Sequence, residues 1–295
     1  MAVENFGRRE ELVDFLRSRR ARLTPVEMGL ISGPRRRTPG LRREEVAQLA
    51  GISTTWYTWL EQGRDVRVSV DVIESLARAL RLGESERRHL HDLAGHGSPP
   101  APPRGDAVPE PIPAVLELVS RIPDPVYVQG PLWQLVAWNR AVSLCFADFG
   151  SLEVDDRNLL RYVFTSRART NGRLLNWQEW ASFYVAQFRA DTTRLIGDPA
   201  WVALVEELSE NEQFSRLWAT HDVHGHLHPG PKVIEHVHAG RLVLNCMMFR
   251  IDAQPELTMV VHSPVPGTGT AERLTALLDT EGHPEPDSPI HAHAW

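Results

Sequence analysis

Three groups of side chains in this sequence have types and spacing suited to chemistry. In TTWYTWLE, residues 54–61, Tyr57 and Leu60 are three apart and face inward on a short helix, which leaves Thr54, Thr55, Thr58 and Trp59 on its front. Hydroxyls there can bond base edges or phosphates, and threonine and indole surfaces can pack on a thymine methyl. The second group is SGPRRRTPGLRR, residues 32–43, with five arginines and two prolines that forbid a continuing helix. Arg35, Arg36 and Arg37 then form a basic loop able to reach a phosphate rail or the minor groove; the plainer alternative is a solvated surface loop. The third is HGHLHPGPKVIEHVH, residues 224–238, where His224, His226 and His228 alternate as metal-binding pairs do on a strand. Asp222, Glu235, His236 and His238 are the residues that would complete such a site. Against it, Pro229 and two glycines make the stretch a loop of solvated histidines, so no metal and no cofactor are assigned; a pH-sensitive element is the other use of such residues.

The elements that must position the first group are legible. Arg42–Ala50 reads as a helix with Val46, Leu49 and Ala50 on one stripe. Gly51 supplies the backbone freedom its end needs, Ile52 plugs the turn, and Ser53 caps the next helix. One helix braces another that can enter the major groove. Around them, Glu10–Arg20, a helix from Ser69 through Leu82, and Ser85–Ala94 with its stop at Gly95 complete an all-helical domain.

The stretch Ala47, Gly51, Ile52, Ser53, Leu60, Glu61 and Gly63 is similar to the Cro/repressor-like, or XRE, helix-turn-helix family. That resemblance implies that Ser53, Thr54, Thr55 and Trp59 face base edges, that Arg43 lies near a phosphate, and that Arg64 and Arg67 are further phosphate contacts. Tryptophan at 59 departs from the polar side chain the family often carries there.

Charge agrees with contact confined to one end. The net charge is −6, but there are 17 arginines against 14 acidic residues up to Gly95, and 15 basic against 24 acidic beyond it. Lys232 is the only lysine, which reads as coding bias toward arginine, of the kind a GC-rich bacterial genome imposes, rather than as chemistry. Cys145 and Cys246 belong to no C-x-x-C pattern and suit reduced thiols in a cytoplasmic protein. No export signal and no membrane span are expected. Seven prolines in residues 99–113 mark a stiff linker, so the expected division is 1–95, a linker over 96–112, and a second domain over 113–295.

In that second domain the pattern suggests a short helix from Pro113, strands at Pro125–Gly130 and Leu132–Trp138, and a helix capped by Asn139. Helices follow at Asp156–Phe164, Trp177–Ala190, Pro199–Ser209 and Glu212–Thr220, then strands at Lys232–His238, Arg241–Ile251 and Leu257–His262, and a helix over 270–279. Six of nine tryptophans lie between 133 and 218. Trp133, Trp138, Trp177 and Trp180, with Phe146, Phe164 and Phe183, either line an apolar pocket or pack a core.

Strand followed by Asn at a helix start resembles the opening of a PAS-type sensor. The whole layout resembles the MmyB-like bacterial transcription regulators, through RRRTPGLRREEVAQLAGIS and YTWLEQGRDVR in the head. In the body the matching residues are Trp133, Ala137, Trp138, Asn139 and Arg140, the run R-N-L-L-R at 157–161, and Trp218, His221, Asp222 and Val223. The resemblance implies an all-α helix-turn-helix domain followed by an α+β PAS-like domain that binds a small apolar, fatty-acid-like ligand. Asn139, Asn158, Arg161 and His221 become candidate polar anchors because they sit inside the matching motifs. The expected protein is a non-enzymatic homodimer that reads a double-stranded DNA operator. Two alternatives stay open: a metal-dependent enzyme or metal or pH sensor using His221–His238, and a protein-binding adaptor with a DNA-binding head. G-x-S-x-G, P-loop, G-x-G-x-x-G and H-E-x-x-H patterns are all missing from the sequence.

Overall fold

Gly51 closes the first helix of the motif in the left-handed region, φ 68°, and its N–H returns to the carbonyls of that helix. The Ser53 hydroxyl then accepts from Trp56 N at 3.1 Å and starts the next helix. The computed structural model describes residues 2–30, 40–96, 109–164, 174–223 and 229–280. Its helical part has α1 at Ala2–Arg22, α2 at Arg43–Ala50, α3 at Thr54–Glu61, α4 at Val70–Ala79 and α5 at Glu84–Leu93. Phe15, Leu16, Leu41, Val46, Tyr57, Ile73, Leu76 and Leu90 are fully buried and form one core. Gly40 brings the chain hard against α1: a Cβ there would lie 2.5 Å from the Ala21 Cα and 2.6 Å from the Arg20 carbonyl oxygen. Only glycine allows that approach, which sets Leu41 into the core beneath α2.

The chain forms two compact units, and the first is not contiguous. It takes in residues up to 103 together with Arg189–Ser209 and 215–225. Ile196 and Val223, from these later segments, are buried in the same core as Phe15 and Tyr57. Arg19, 3% exposed, lies 2.7 Å from Glu86 and donates to the His221 carbonyl at 2.6 Å. Arg189 pairs with Glu11 of α1 and stacks on Trp218, 3.7 Å from the ring centroid. His89 of α5 is 2.7 Å from the Thr193 hydroxyl.

The second unit is α+β, as the resemblance implied. Its sheet has β1 at Val126–Gln129, β2 at Leu135–Trp138, β3 at Lys232–His236, β4 at Gly240–Ile251 and β5 at Gln254–Pro264, in the order β2-β1-β5-β4-β3, antiparallel throughout. Helix α6, Pro113–Arg121, covers one face with Val115 and Val119 against Val126, Val128 and Val261. On the other face Ile234, Leu242 and Leu244 pack with Cys145 of α7 (Arg140–Cys145) and with Leu274 and Leu277 of Thr270–Thr280. β1 is therefore buried on both faces and every one of its residues is inside.

The second expected strand begins three residues late. Trp133 takes φ 64°, in a turn where its N–H donates to the Gly130 carbonyl. A tryptophan in that region is strained, and burial of its ring against Tyr184 and Phe188 offsets the cost. Helices α8 at Leu159–Phe164, α9 at Trp177–Asp191, α10 at Pro199–Ser209 and α11 at Glu212–Trp218 follow the sequence reading closely. The division between the units falls inside α9, after Phe188. No described helix is long and apolar enough to cross a membrane.

Candidate functional site

The front of α3 is built as the spacing requires. Ser53, Thr54, Thr55 and Trp59 are exposed, and so are Arg64 and Arg67 just beyond the helix, while Tyr57 and Leu60 are buried beneath. Thr58 is half-buried, and its hydroxyl donates to the Thr54 carbonyl at 2.8 Å. Trp59 is 39% exposed, and the Arg64 guanidinium sits 5.6 Å from its ring centroid.

Arg43 is held from below. Its Nε donates to Glu61 Oε2 at 2.7 Å, and Arg20 Nε donates to the other oxygen at 2.6 Å. Glu61 has no exposure, whereas the Arg43 side chain stays 42% exposed. Burial alone would raise the Glu61 carboxyl, but hydrogen bonds from Arg20 and Arg43 outweigh it and hold the group below the usual carboxylate range. Sequence reasoning placed Glu61 in the motif without a role, and missed Arg20. Arg35, Arg36 and Arg37 lie outside the described residues.

In the α+β unit a cavity of about 50 Å³ lies between the sheet and the helices. Tyr127 and Leu135 line it from the sheet, Phe146 and Phe149 from the segment after α7, Leu159, Tyr162 and Val163 from α8, and Trp177 and Tyr184 from α9. That volume holds a few water-sized groups, so a longer chain enters only if lining side chains swing aside. Nearly all of the lining is apolar. Tyr127, Tyr162 and Tyr184 add hydroxyls, and the charged group of the lining is Lys232, 4% exposed, whose Nζ lies 2.7 Å from His262 Nε2. Burial pushes the Lys232 ammonium pKa down to about 8.

Of the ligand residues expected from sequence, Phe146 and Trp177 line this cavity. Trp180 stands behind it, 4.7 Å from Lys232 Nζ, with Phe183 edge-on to it. Trp133 is spent on the core contacts described above; Trp138 packs on Phe149 and under Arg157, and Phe164 on Trp177 and Phe214. Asn139 accepts from Val126 N and Val142 N and donates to the Ile122 and Asp124 carbonyls, so all its capacity goes to capping α7 and tying down β1. Asn158 does the same for α8, accepting from Leu160 N and Arg161 N and donating to the Leu132 carbonyl. Arg161 donates to the Asp155 carbonyl at the protein surface. His221 belongs to the other unit, its ring beside Glu11 and Arg189.

Sequence reasoning missed Lys232, taken for coding bias, and His262. The signal was there in the alternation of Lys232, Ile234 and His236, which puts all three on the buried face of one strand. His236 itself is structural: one ring nitrogen meets the Leu144 carbonyl and the other accepts from His238 N and Ala239 N. His224, His226 and His228 lie outside the described residues, and among the described residues no three His, Cys, Asp or Glu converge as metal ligands.

Comparison with known families agrees with both halves. Residues 112–278 match the MmyB-like transcription regulator ligand binding domain, and residues 11–90 match a helix-turn-helix domain. Among curated proteins nothing matches.

Proposed function

The chain belongs to the MmyB-like transcription regulators, and from that premise we propose how its two halves work. It is a DNA-binding transcription regulator with a ligand-binding domain. In our reading Ser53, Thr54, Thr55, Thr58 and Trp59 meet base edges, and Arg43, Arg64 and Arg67, with Arg35, Arg36 and Arg37, meet phosphates. The ligand is a small fatty-acid-like molecule, and the observation that carries this is the apolar cavity with a single ammonium in its wall. The protein acts in the cytoplasm as a homodimer whose two heads read half-sites about one helical turn apart, without catalysing a reaction. Helix α9 lines the cavity with Trp177 and Tyr184 and carries Arg189, the partner of Glu11, in its last turn. A ligand that displaces α9 therefore has a covalent path to the head, and shifts its DNA-competent population.

Native mass spectrometry of the purified protein, followed by solvent extraction, tests this. A dimer carrying a few hundred daltons of extractable lipid, whose removal changes operator affinity, is the expected result. A dimer that neither carries nor takes up lipid, with operator affinity indifferent to added fatty acid, would remove the sensor role and leave a DNA-binding adaptor.

A further inference from the structure

Lys232 is out of keeping with its surroundings. Its Nζ is ringed by Trp180 at 4.7 Å, Tyr184 at 5.2 Å and Phe146 at 5.5 Å, with His262 as hydrogen-bonding neighbour. Among the described residues no carboxylate pairs with it. A buried ammonium without a counter-charge is destabilising, and a methionine of similar length would fill the same space at lower cost. The sequence sharpens the point. Of the 32 Lys or Arg positions in this chain, the other 31 carry arginine. A planar guanidinium with five donors would not be satisfied by one imidazole among three rings, whereas a compact ammonium presents one donor to His262 and aims the others elsewhere. The aromatic faces lower the cost of the charge without neutralising it.

We propose that Lys232 is the head-group anchor of the cavity: its ammonium, steered by His262, binds the carboxylate of an acidic ligand whose apolar chain runs past Leu135, Leu159, Val163 and Trp177. The domain thereby selects acids over alcohols and esters of the same chain length. This rests on the ligand-binding reading above, and deepens it by naming the group that is recognised and the residue that recognises it. The ligand carboxylate supplies the counter-charge that the fold withholds, so binding relieves a cost built into the free protein.

The test titrates the full-length, delipidated protein with decanoic acid, decanol and methyl decanoate by calorimetry. The acid should bind at least about tenfold more tightly than the other two. Lys232→Met should remove that preference, weakening the acid by about the same factor and leaving decanol unchanged. Should that variant fail to fold, wild-type protein labelled with 15N-lysine answers the same question, because one lysine gives one side-chain ammonium signal. Decanoic acid should shift it, and decanol should not. Equal binding of all three probes, with an unmoved signal, overturns the anchor and leaves the apolar ligand reading intact. Binding of none of them overturns both.

Discussion

Glu61 shows how a single carboxylate can organise a DNA-reading surface from the inside. It has no exposure, yet it fixes Arg20 within the head and Arg43 at the rim, and it hangs from the end of α3 whose front carries Thr54, Thr55 and Trp59. Arg43 is thus already positioned in the free protein, which would lower the entropy lost on meeting a phosphate in the role proposed for it. Arg43→Ala should weaken binding to specific and random duplexes alike and make the slope of log K against log salt shallower by about 0.9. Glu61 keeps Arg20 in that variant, so the fold should survive, and circular dichroism would verify it. Fluorescence anisotropy across a salt series is the measurement; an unchanged slope would take Arg43 out of the phosphate contacts.

At the scale of elements, α5 carries a group that ties stability to pH. Burial pushes the His89 pKa down to about 3; Glu11 opposes that shift, and Arg189 and Arg19 reinforce it. The unfolded chain, with an ordinary histidine near 6.5, binds the proton more readily than the folded one. The stability contributed by a neutral His89 is therefore complete above about pH 6.5 and is lost as pH falls toward 3. Between pH 6.5 and 5 the loss is on the order of 2 kcal/mol. Urea midpoints at pH 7 and pH 5 should show that loss in the wild type and a smaller one in His89→Gln; equal losses would mean that His89 titrates normally. Local grammar made most elements readable in advance, because caps and turns act within a few residues. Gly51, Ser53, Ser69 and Asn139 each sit where their chemistry demanded. The cavity was harder to read for a physical reason. An indole lining a void and an indole filling a core obey the same periodicity, so Trp177 and Trp133 look alike until their neighbours are known. Asn139 and Asn158 look alike as ligand candidates in sequence, although backbone groups take all the capacity of Asn139 and three hydrogen bonds of Asn158.

For the whole molecule, the informative feature is that the helical unit draws on residues far along the chain. Ile196 and Val223 belong to its core, and Arg189, Thr193 and His221 hold Glu11, His89 and Arg19. Nothing in the local pattern of those segments tells which core their apolar residues join, so the sequence alone placed them with the second domain. A fragment ending at residue 96 loses both apolar side chains and these polar partners. At about 1.5–3 kcal/mol for each buried aliphatic side chain, it should be less stable than the same residues in the full chain by at least about 3 kcal/mol. Hydrogen exchange at the amides of Phe15, Leu16 and Tyr57 would register the difference as faster exchange in the fragment; equal protection would mean that the head stands without them. The same feature bears on the order in which a ribosome delivers the protein. More than a hundred residues separate α5 from Val223, and at about 5–20 residues per second they take on the order of ten seconds to make. During that interval the nascent head has its recognition helix but not the last pieces of its core. A chain cut short before Val223 would carry a DNA-reading surface with weakened support, so truncated products would be poor competitors for the operator.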